Sequence, residues 1–418
     1  MSLNDCFAPE QQLLSTAAAL AQLRQQAKRA VGDTLCPLAQ ANGRVLAQAL
    51  VSPRQVPGFD NAAVDGYALR ASDLCADAST KLQLTAAISA GHSTGAALAP
   101  GKAARILTGA RLPAGADTVV MQEDVQLEGD AVVIPAGISP GINWRPAGED
   151  MAAGAEILPI GHKLRPQDIG CAAAMGLTQV RVYQPLKVAV FSTGDELVNA
   201  GEALDEDSVV DINRPMLLAF LSALGAEVTD LGILADCRAT VVEKLAAAAR
   251  EQDVILTSGG ASTGDKDYIA TAVQELGSLH FWRMAIKPGR PLAFGSLNQG
   301  RCVFIGFPGN PVATGVCFLR FAYPLLCALG GQQWPEPQTF SVTADFSLKK
   351  KPGRREWLRA QLLRDQNGQL RVKKHPKQGS GVLTSLVQAD GLVELDEDIT
   401  SVSPGTKVQF LSFKQFLG

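Results

Sequence analysis

Short apolar runs alternate with longer helical stretches in the second half of the chain, and this alternation constrains the fold most. The runs are LKVAVF, EVTDLG, DVILT and CVFIG. Strand then helix, repeated, predicts a doubly wound parallel sheet, with helices at 214–224, 240–251, 268–276 and 312–329. Such sheets bind ligands at the carboxyl ends of their strands, so the loops at those ends are where we expect the chemistry.

The first of these loops is acidic. Thr193, Gly194, Asp195 and Glu196 follow LKVAVF, which places two carboxylates in a strand-to-helix connection. They are suited to holding a hard divalent cation or to acting as acid and base. The alternative is a capped helix with a favourable acidic first turn.

The second loop is rich in glycine and hydroxyl groups. It follows DVILT and reads SGGASTGDKDY, with Ser258, Gly259, Gly260, Ser262 and Gly264 as its small residues. Without Cβ atoms, several backbone N–H groups can approach one anion, and the next helix adds its positive end. The loop predicts a site for a phosphate or pterin-phosphate group, with a tight turn as the alternative. Asp265 and Asp267 beside it are candidates for a metal carried by that phosphate.

Two proline-rich loops complete the set. The stretch 287–291 presents Lys287 and Arg290 on a backbone stiffened by prolines, which suits a fixed oxyanion site. The stretch from Pro308 to Pro311 leads into a helix and forms another rigid helix start. A turn alone explains either loop, but four such loops at one sheet edge favour a binding site.

The remaining segments predict additional domains. An amphipathic helix is expected at 11–29, strand-like runs bounded by Gly and Pro occupy 81–143, and alternation returns beyond residue 337 with a hairpin turn at 366–368. We expect residues 1–53 with 145–182 to form a discontinuous helix and linker domain. The inserted β domain is expected at 54–144, the doubly wound domain at 183–329 and a C-terminal β domain at 330–418.

Charge and cysteine content limit the partners and the compartment. The formal charge of -3 gives no general attraction for nucleic acid, although the part from residue 330 onward carries +4 and the rest -7. The eight scattered cysteines and the absence of a signal-like N-terminus predict reduced thiols and a cytoplasmic location. The apolar stretch 312–329 is interrupted by Arg320 and Pro324 and is expected to be a buried or interface helix, so no membrane is predicted.

Eight segments occur in a defined order: PGFDNAAVDGYALR, ILTGARLPAGADTVVMQED, RPAGED, FSTGDEL, DINRPM, SGGASTGDKDY, AIKPGRPLAFG and FPGNPVAT. Together they resemble the MoeA family, which includes the C-terminal region of gephyrin. The resemblance implies a MogA-like doubly wound domain within a four-domain chain, and a homodimer with its active site between subunits. It also implies a Mg²⁺-dependent reaction in which molybdate enters the dithiolene of adenylyl-molybdopterin and AMP is released.

The resemblance also implies roles for individual residues. Substrate, metal or hydrolysis roles fall on Asp65, Thr108, Asp150, Glu196, Asp236 and Asp267, with Glu196, Asp236 and Asp267 as the metal ligands. Binding of the pterin, phosphates or molybdate falls on Thr193, Gly194, Ser258, Gly259, Gly260, Ser262, Gly264, Arg283, Lys287, Pro308, Pro311, Arg359 and Ser380. Arg283 and Ala313 stand where the family commonly has Lys and Ser, which bears on anion affinity rather than on the reaction class.

Two other functions fit parts of the pattern. A MogA-type molybdopterin adenylyltransferase shares the doubly wound portion, although the additional β domains argue against it, and such an enzyme is instead expected as a partner. A non-catalytic scaffold is the second alternative, because gephyrin also organises other proteins; the intact acidic loops weigh against it.

Overall fold

The computed structural model describes residues 13–92, 95–259 and 268–417. The predicted loop residues Gly260, Ser262, Gly264, Asp265 and Asp267 lie outside the described residues. The first element is helix α1, Thr16–Gln26, which begins where the Ser15 hydroxyl accepts a hydrogen bond from the Ala18 N–H. It is shorter than the predicted 11–29 helix. Its buried Ala19 and Leu23 pack into the core of the doubly wound unit.

Distant parts of the chain meet in the linker unit. Its elements are β1 (Asp33–Pro37), β2 (Leu50–Val51), β11 (Glu156–Leu158), α2 (Pro166–Ala174) and β12 (Gln179–Tyr183). Strand β1 pairs antiparallel with β12, and β2 pairs with β11. These pairings bring together the two segments that flank residues 54–144.

The inserted segment forms a six-stranded sheet in the order β7-β4-β6-β5-β9-β8. The strands of this region are β3 (Asn61–Ala62), β4 (Gly66–Leu69), β5 (Thr80–Ile88), β6 (Lys102–Ile106), β7 (Thr118–Met121), β8 (Gln126–Glu128), β9 (Ala131–Ile134) and β10 (Trp144–Arg145). Two clusters of buried side chains pack on it, one with Ile106 and Val119 and the other with Leu69 and Val132. The sheet begins before residue 81, since β4 lies between β7 and β6.

The doubly wound unit contains the four predicted strands as parallel neighbours. Its sheet has the order β16-β13-β17-β21-β20-β18. The elements are β13 (Lys187–Thr193), β14 (Leu197–Val198), β15 (Val209–Val210), α3 (Asn213–Leu224), β16 (Glu227–Leu234), α4 (Arg238–Glu251), β17 (Val254–Ser258), α5 (Tyr268–Leu276), β18 (Gly277–Arg283), β19 (Ile286–Lys287), β20 (Pro291–Leu297) and β21 (Cys302–Phe307). Strands β18 and β20, which the sequence analysis did not include, join antiparallel at one side.

A long buried helix follows β21. It consists of α6 (Pro311–Cys317), a π-helical turn (Phe318–Ala322) and α7 (Tyr323–Leu329). Its Pro311–Leu329 span is the only helix among the described residues that is long and apolar enough to cross a membrane, and 89% of the apolar window is buried within the protein. The helix therefore behaves as a core helix, as predicted.

The C-terminal part folds into a second six-stranded sheet in the order β19-β24-β25-β22-β28-β26, and β24 also pairs with β26. Its elements are β22 (Thr339–Ala344), β23 (Leu348–Lys349), β24 (Arg355–Arg364), β25 (Leu370–Lys374), α8 (Thr384–Val387), β26 (Gly391–Leu395), β27 (Ser401–Val402), β28 (Lys407–Ser412) and α9 (Lys414–Leu417). The predicted hairpin connects β24 to β25. Strand β19 comes from the preceding unit, so this pairing fixes Lys287 against β24.

Candidate functional site

Strand register brings the predicted loops to one edge of the doubly wound sheet. Ser192 lies opposite Ser258, and Ser258 lies opposite Phe307, at the ends of three parallel strands. Because β20 runs antiparallel to β21, its first residues lie at the same edge, where Pro291 pairs with Arg283 at the end of β18. The acidic, glycine-rich and two proline-rich loops therefore start or end at the same edge of the sheet.

The acidic loop folds tightly over its own backbone. A Cβ atom at Gly194 would lie 2.6 Å from the Glu196 Oε2 atom, so a larger residue there would displace this carboxylate from its observed position. Gly259, with φ +91°, approaches the Thr193 carbonyl in the same way. The Glu196 side chain is exposed, and its main chain is fixed because its carbonyl accepts a hydrogen bond from the Val209 N–H at 2.7 Å. Thr193, Gly194 and Gly259 therefore serve close packing at this edge.

Asp236 follows the neighbouring strand. Register pairs Thr193 with Leu234, so Asp236, two residues further on, lies after the adjacent strand end and is half-buried. Carboxylate oxygens are the ligands that Mg²⁺ prefers. Among the residues that the structure describes, no three His, Cys, Asp or Glu side chains form a metal-binding group. The described residues therefore do not by themselves assemble the predicted metal site of Glu196 and Asp236, and Asp267, its third predicted ligand, lies outside the described residues.

A second set of residues meets where the C-terminal sheet contacts helix α6. The Val312 N–H donates to the Ser380 carbonyl at 3.0 Å, which joins the loop of Ser380 to the helix start at Pro311. The Arg359 guanidinium donates from Nη2 to the Gly379 carbonyl at 3.1 Å. The structure thus brings together the predicted residues Pro308, Pro311, Arg359 and Ser380.

Arg359 is an unusual buried cation. Its side chain is 1% exposed and donates from Nε to the Ser385 hydroxyl at 3.0 Å. No carboxylate in the described ranges lies within salt-bridge distance of it. Burial lowers the pKa of Arg359 to about 10, so it stays positive near neutral pH. A buried cation without a counterion is costly, and an anionic ligand would offset that cost.

Two exposed cations lie on the neighbouring loop. Lys287 Nζ is 3.6 Å from Glu356 Oε2, and its side chain is about half exposed. Glu356 is also paired with Arg354, which leaves the local charge of this corner positive. Arg283 is exposed at the end of β18, where its carbonyl accepts from the Leu14 N–H. Both predicted cations therefore remain accessible to an anion.

Asp65 and Thr108 form a separate pair in the inserted β unit. The Thr108 hydroxyl and N–H both donate to Asp65 Oδ1, at 2.6 and 2.8 Å. The hydroxyl bond is the main cause that holds the pKa of Asp65 below its ordinary value. Within the described part of the chain, neither side chain contacts the sheet edge through a hydrogen bond or ion pair. Asp150 is exposed in the linker unit, also apart from the edge.

Asn213 lies in the segment DINRPM, and no role was predicted for it from the sequence. This residue begins helix α3 and is 7% exposed. Its Nδ2 atom donates to the Ser258 hydroxyl at 2.7 Å and to the Gly309 carbonyl at 2.6 Å. Asn213 therefore ties the glycine-rich loop to the loop after β21. The sequence signal that could have indicated a role for Asn213 is its position at the start of a predicted helix, next to the predicted ligand-binding edge of the sheet.

Family models match most of the chain. The MoeA N-terminal region (domain I and II) matches residues 14–176, a probable molybdopterin binding domain matches residues 189–328, and the MoeA C-terminal region (domain IV) matches residues 341–413. A molybdopterin molybdenumtransferase of Haemophilus influenzae is 38% identical over 383 residues, which are 91% of this chain and 94% of that protein. The chain belongs to the MoeA family.

Other MoeA relatives agree with this assignment. A molybdopterin molybdenumtransferase of a Nostoc species is 36% identical over 89% of this chain and 86% of its own length. A crystal structure of a molybdopterin biosynthesis MoeA protein from Pyrococcus horikoshii is 30% identical, with a TM-score of 0.82 over 96% of this chain and 100% of that one. The predicted family and fold class are confirmed.

Proposed function

We propose that this MoeA family chain is a molybdopterin molybdenumtransferase, which inserts molybdate into the dithiolene of adenylyl-molybdopterin and releases AMP. The names of its relatives support this. The observation that carries it is the adjacency of two features. The acidic and glycine-rich loops lie at one edge of the doubly wound sheet. Arg359, which is buried without a carboxylate partner among the described residues, lies beside the start of helix α6 at Pro311 on that edge.

The loops would bind different parts of the substrate and its metal ion, according to the chemical groups that each loop carries. The Ser258 hydroxyl, together with the backbone N–H groups and hydroxyls of the residues that follow Gly259, would hold the phosphates of the substrate. The Gly259 N–H itself donates to the Phe307 carbonyl at 3.2 Å and keeps the two loops together. Glu196, Asp236 and Asp267 would hold Mg²⁺ together with phosphate oxygens. Bound there, Mg²⁺ would stabilise charge that develops on the phosphate during AMP release. Gly194 keeps the Glu196 carboxylate close to the loop backbone, which orients it toward this edge.

The cationic corner suits the second substrate. Molybdate is a tetrahedral dianion, and Arg359, Lys287, Arg283 and the Ser380 loop would hold it until the dithiolene captures the metal. The dithiolene supplies the soft sulfur ligands that molybdenum prefers, so the protein needs no thiolate there. The nearest cysteine along the helix, Cys317, is fully buried, and burial raises its pKa to about 12. It is therefore a packed thiol rather than a ligand.

Turnover of purified adenylyl-molybdopterin tests the function. With Mg²⁺ and molybdate, we expect release of AMP together with active molybdenum cofactor. Omitting molybdate is expected to stop cofactor formation, and removing Mg²⁺ with a chelator is expected to stop both products. Production of adenylyl-molybdopterin from molybdopterin and ATP would instead assign the chain as an adenylyltransferase. Tight binding of adenylyl-molybdopterin without any release would indicate a scaffold.

We further propose a homodimer in which the inserted β unit of one subunit completes the sheet edge of the other. Exposed apolar residues flank both halves: Leu107 and Met121 beside Asp65 and Thr108, and Val209 beside Glu196. Exposed apolar patches around functional residues are typical of interfaces. Asp65 and Thr108 would then act on substrate bound by the partner subunit.

Complementation between two inactive variants tests this arrangement. Asp65→Ala and Glu196→Ala are each expected to be inactive as homodimers, because each homodimer lacks one half of every site. Mixed dimers contain one intact site, so co-refolded or co-expressed variants should regain about a quarter of wild-type activity if dimers form at random. The matched control mixes Asp65→Ala with Thr108→Ala, which belong to the same half and should not complement. Activity in neither mixture would contradict a shared site.

Three further proposals follow from the same assignment. The substrate is already adenylylated, so a MogA-type adenylyltransferase must supply it and is the proposed partner enzyme. We place the reaction in the cytoplasm, in keeping with the seven free thiols of the described chain. Domain boundaries at residues 53, 144, 182 and 329 stay a prediction, which the separate buried clusters of the inserted and linker units support.

A further inference from the structure

Three buried polar residues, Ser192, Ser258 and Asn213, lie together at the ends of strands β13 and β17 and the start of helix α3. Among the described residues, the Asn213 Oδ1 and Ser192 Oγ atoms are buried and make no hydrogen bond. Ser258, opposite Ser192 in the parallel pair, accepts from Asn213, and the described residues offer no acceptor for its own hydroxyl hydrogen. Buried polar groups normally find partners, and at a ligand edge a bound ligand or an ordered water can supply them.

The carbonyl of Gly309 determines which way the Asn213 amide faces. A carbonyl oxygen can only accept, so the NH₂ group must be the side that faces Gly309. The second hydrogen of the same NH₂ group points to Ser258 Oγ. The Ser258 hydroxyl therefore acts as an acceptor toward Asn213, and its hydrogen is left to point elsewhere. A 4% exposed serine held in this way is a donor with a set direction.

The position of Ser258 in the fold gives its directed hydroxyl a role. Ser258 ends β17 and begins the glycine-rich loop, where the proposed function puts the phosphates of the substrate. We infer that Asn213 is a positioning residue, which holds the Ser258 hydroxyl as a hydrogen-bond donor to a phosphate oxygen of adenylyl-molybdopterin. The inference rests on the proposed function. Asn213 does not touch substrate in this scheme; it acts through Ser258.

Comparing the effect of Ser258→Ala in different backgrounds tests the inference. The measurement is the dissociation constant of adenylyl-molybdopterin, followed by pterin fluorescence with the full-length protein. With Asn213 present, Ser258→Ala is expected to weaken binding about 10-fold or more, since it removes a hydrogen bond to a charged oxygen. With Asn213→Asp, the carboxylate accepts from the Ser258 hydroxyl and turns its hydrogen inward. Ser258→Ala should then change affinity by less than about 3-fold.

The same comparison is made in the Asn213→Ala background, which adds no charge and lets the Ser258 hydroxyl rotate. In this background, too, Ser258→Ala should change the affinity for adenylyl-molybdopterin less than it does with Asn213 present. Asn298→Asp is the matched control, because Asn298 Nδ2 donates to the Ala249 carbonyl away from this edge. In that background, Ser258→Ala should keep its full effect. Thermal unfolding of each variant reports the structural cost separately.

An equal effect of Ser258→Ala in all backgrounds would overturn the inference and leave the proposed function standing, because Asn213 would then be a purely structural tie. Absence of adenylyl-molybdopterin binding to the wild-type chain would overturn the proposed function and this inference with it. A reduced effect in both Asn213 backgrounds, with the control unchanged, would support the positioning role.

Discussion

Replacing Arg359 with methionine is expected to lower molybdate affinity by about 100-fold or more while changing the melting temperature by only a few degrees. A charge-assisted hydrogen bond contributes roughly 1.5–3 kcal/mol, and a guanidinium can make two of them to one oxyanion. The fold should lose the hydrogen bonds to Ser385 and Gly379, and relief of the desolvation cost of a buried cation that has no carboxylate partner among the described residues should offset most of that loss. Methionine fills a similar volume without that cost.

The measurement is the KM for molybdate in AMP release, together with the rise in melting temperature that molybdate gives the wild-type protein. Arg364→Met is the matched control, since Arg364 lies at the far end of the same strand β24 and donates only to the Gly368 carbonyl. Arg359→Lys should recover part of the affinity, because it keeps the charge and loses the planar fork. Unchanged molybdate affinity in Arg359→Met would remove this residue from the proposed site.

Replacing Glu196 with glutamine is expected to slow AMP release by about 10³-fold while adenylyl-molybdopterin still binds. Removing one preoriented charge-stabilising group typically costs 10²–10³ in rate, and a weakened metal site adds to that loss. Glutamine keeps the size of the side chain and removes the negative charge that attracts the cation. The Mg²⁺ concentration needed for half-maximal rate should therefore rise.

Asp195→Asn is the control for Glu196→Gln. It makes the same charge change one residue away, in the same exposed loop. A second variant, Gly194→Ala, keeps both carboxylates but puts a methyl group where the Glu196 carboxylate lies, so it should reproduce part of the loss. If Asp195→Asn proved as damaging as Glu196→Gln, the effect would belong to the total charge of the loop. Full activity in Glu196→Gln would exclude it as a metal ligand.

Local patterns in the sequence were sufficient for the four parallel strands of the doubly wound unit and for the helices between them. The runs LKVAVF, EVTDLG, DVILT and CVFIG are continuous and apolar because parallel strands are buried on both faces, and all four formed strands. The loops after them were located by the general rule for open α/β sheets. Strands β18 and β20 were missed because proline-rich loops separate them and no helix does.

Contacts between residues that are far apart in the sequence could not be predicted from such local patterns. Nothing near Arg359 in the sequence indicates that it is buried, or that the loop of Ser380 hydrogen-bonds to Val312 at the start of α6. The pairing of Ile286 and Lys287 with β24 likewise joins two units that the sequence analysis treated separately. These features depend on how domains dock, which has no periodic signature.

Sequence alone determined the strand and helix types, the acidic and glycine-rich loops, and the family, because periodicity and short motifs act over a few residues. Tertiary structure alone decided that Asn213 faces Ser258 and Gly309 and that Arg359 is a buried cation without a counterion among the described residues. It also decided that Asp65 and Thr108 pair within the inserted unit, whose sheet is separate from the doubly wound one. Burial and hydrogen-bond partners are properties of side chains that meet from distant positions, so they exist only once the chain has folded.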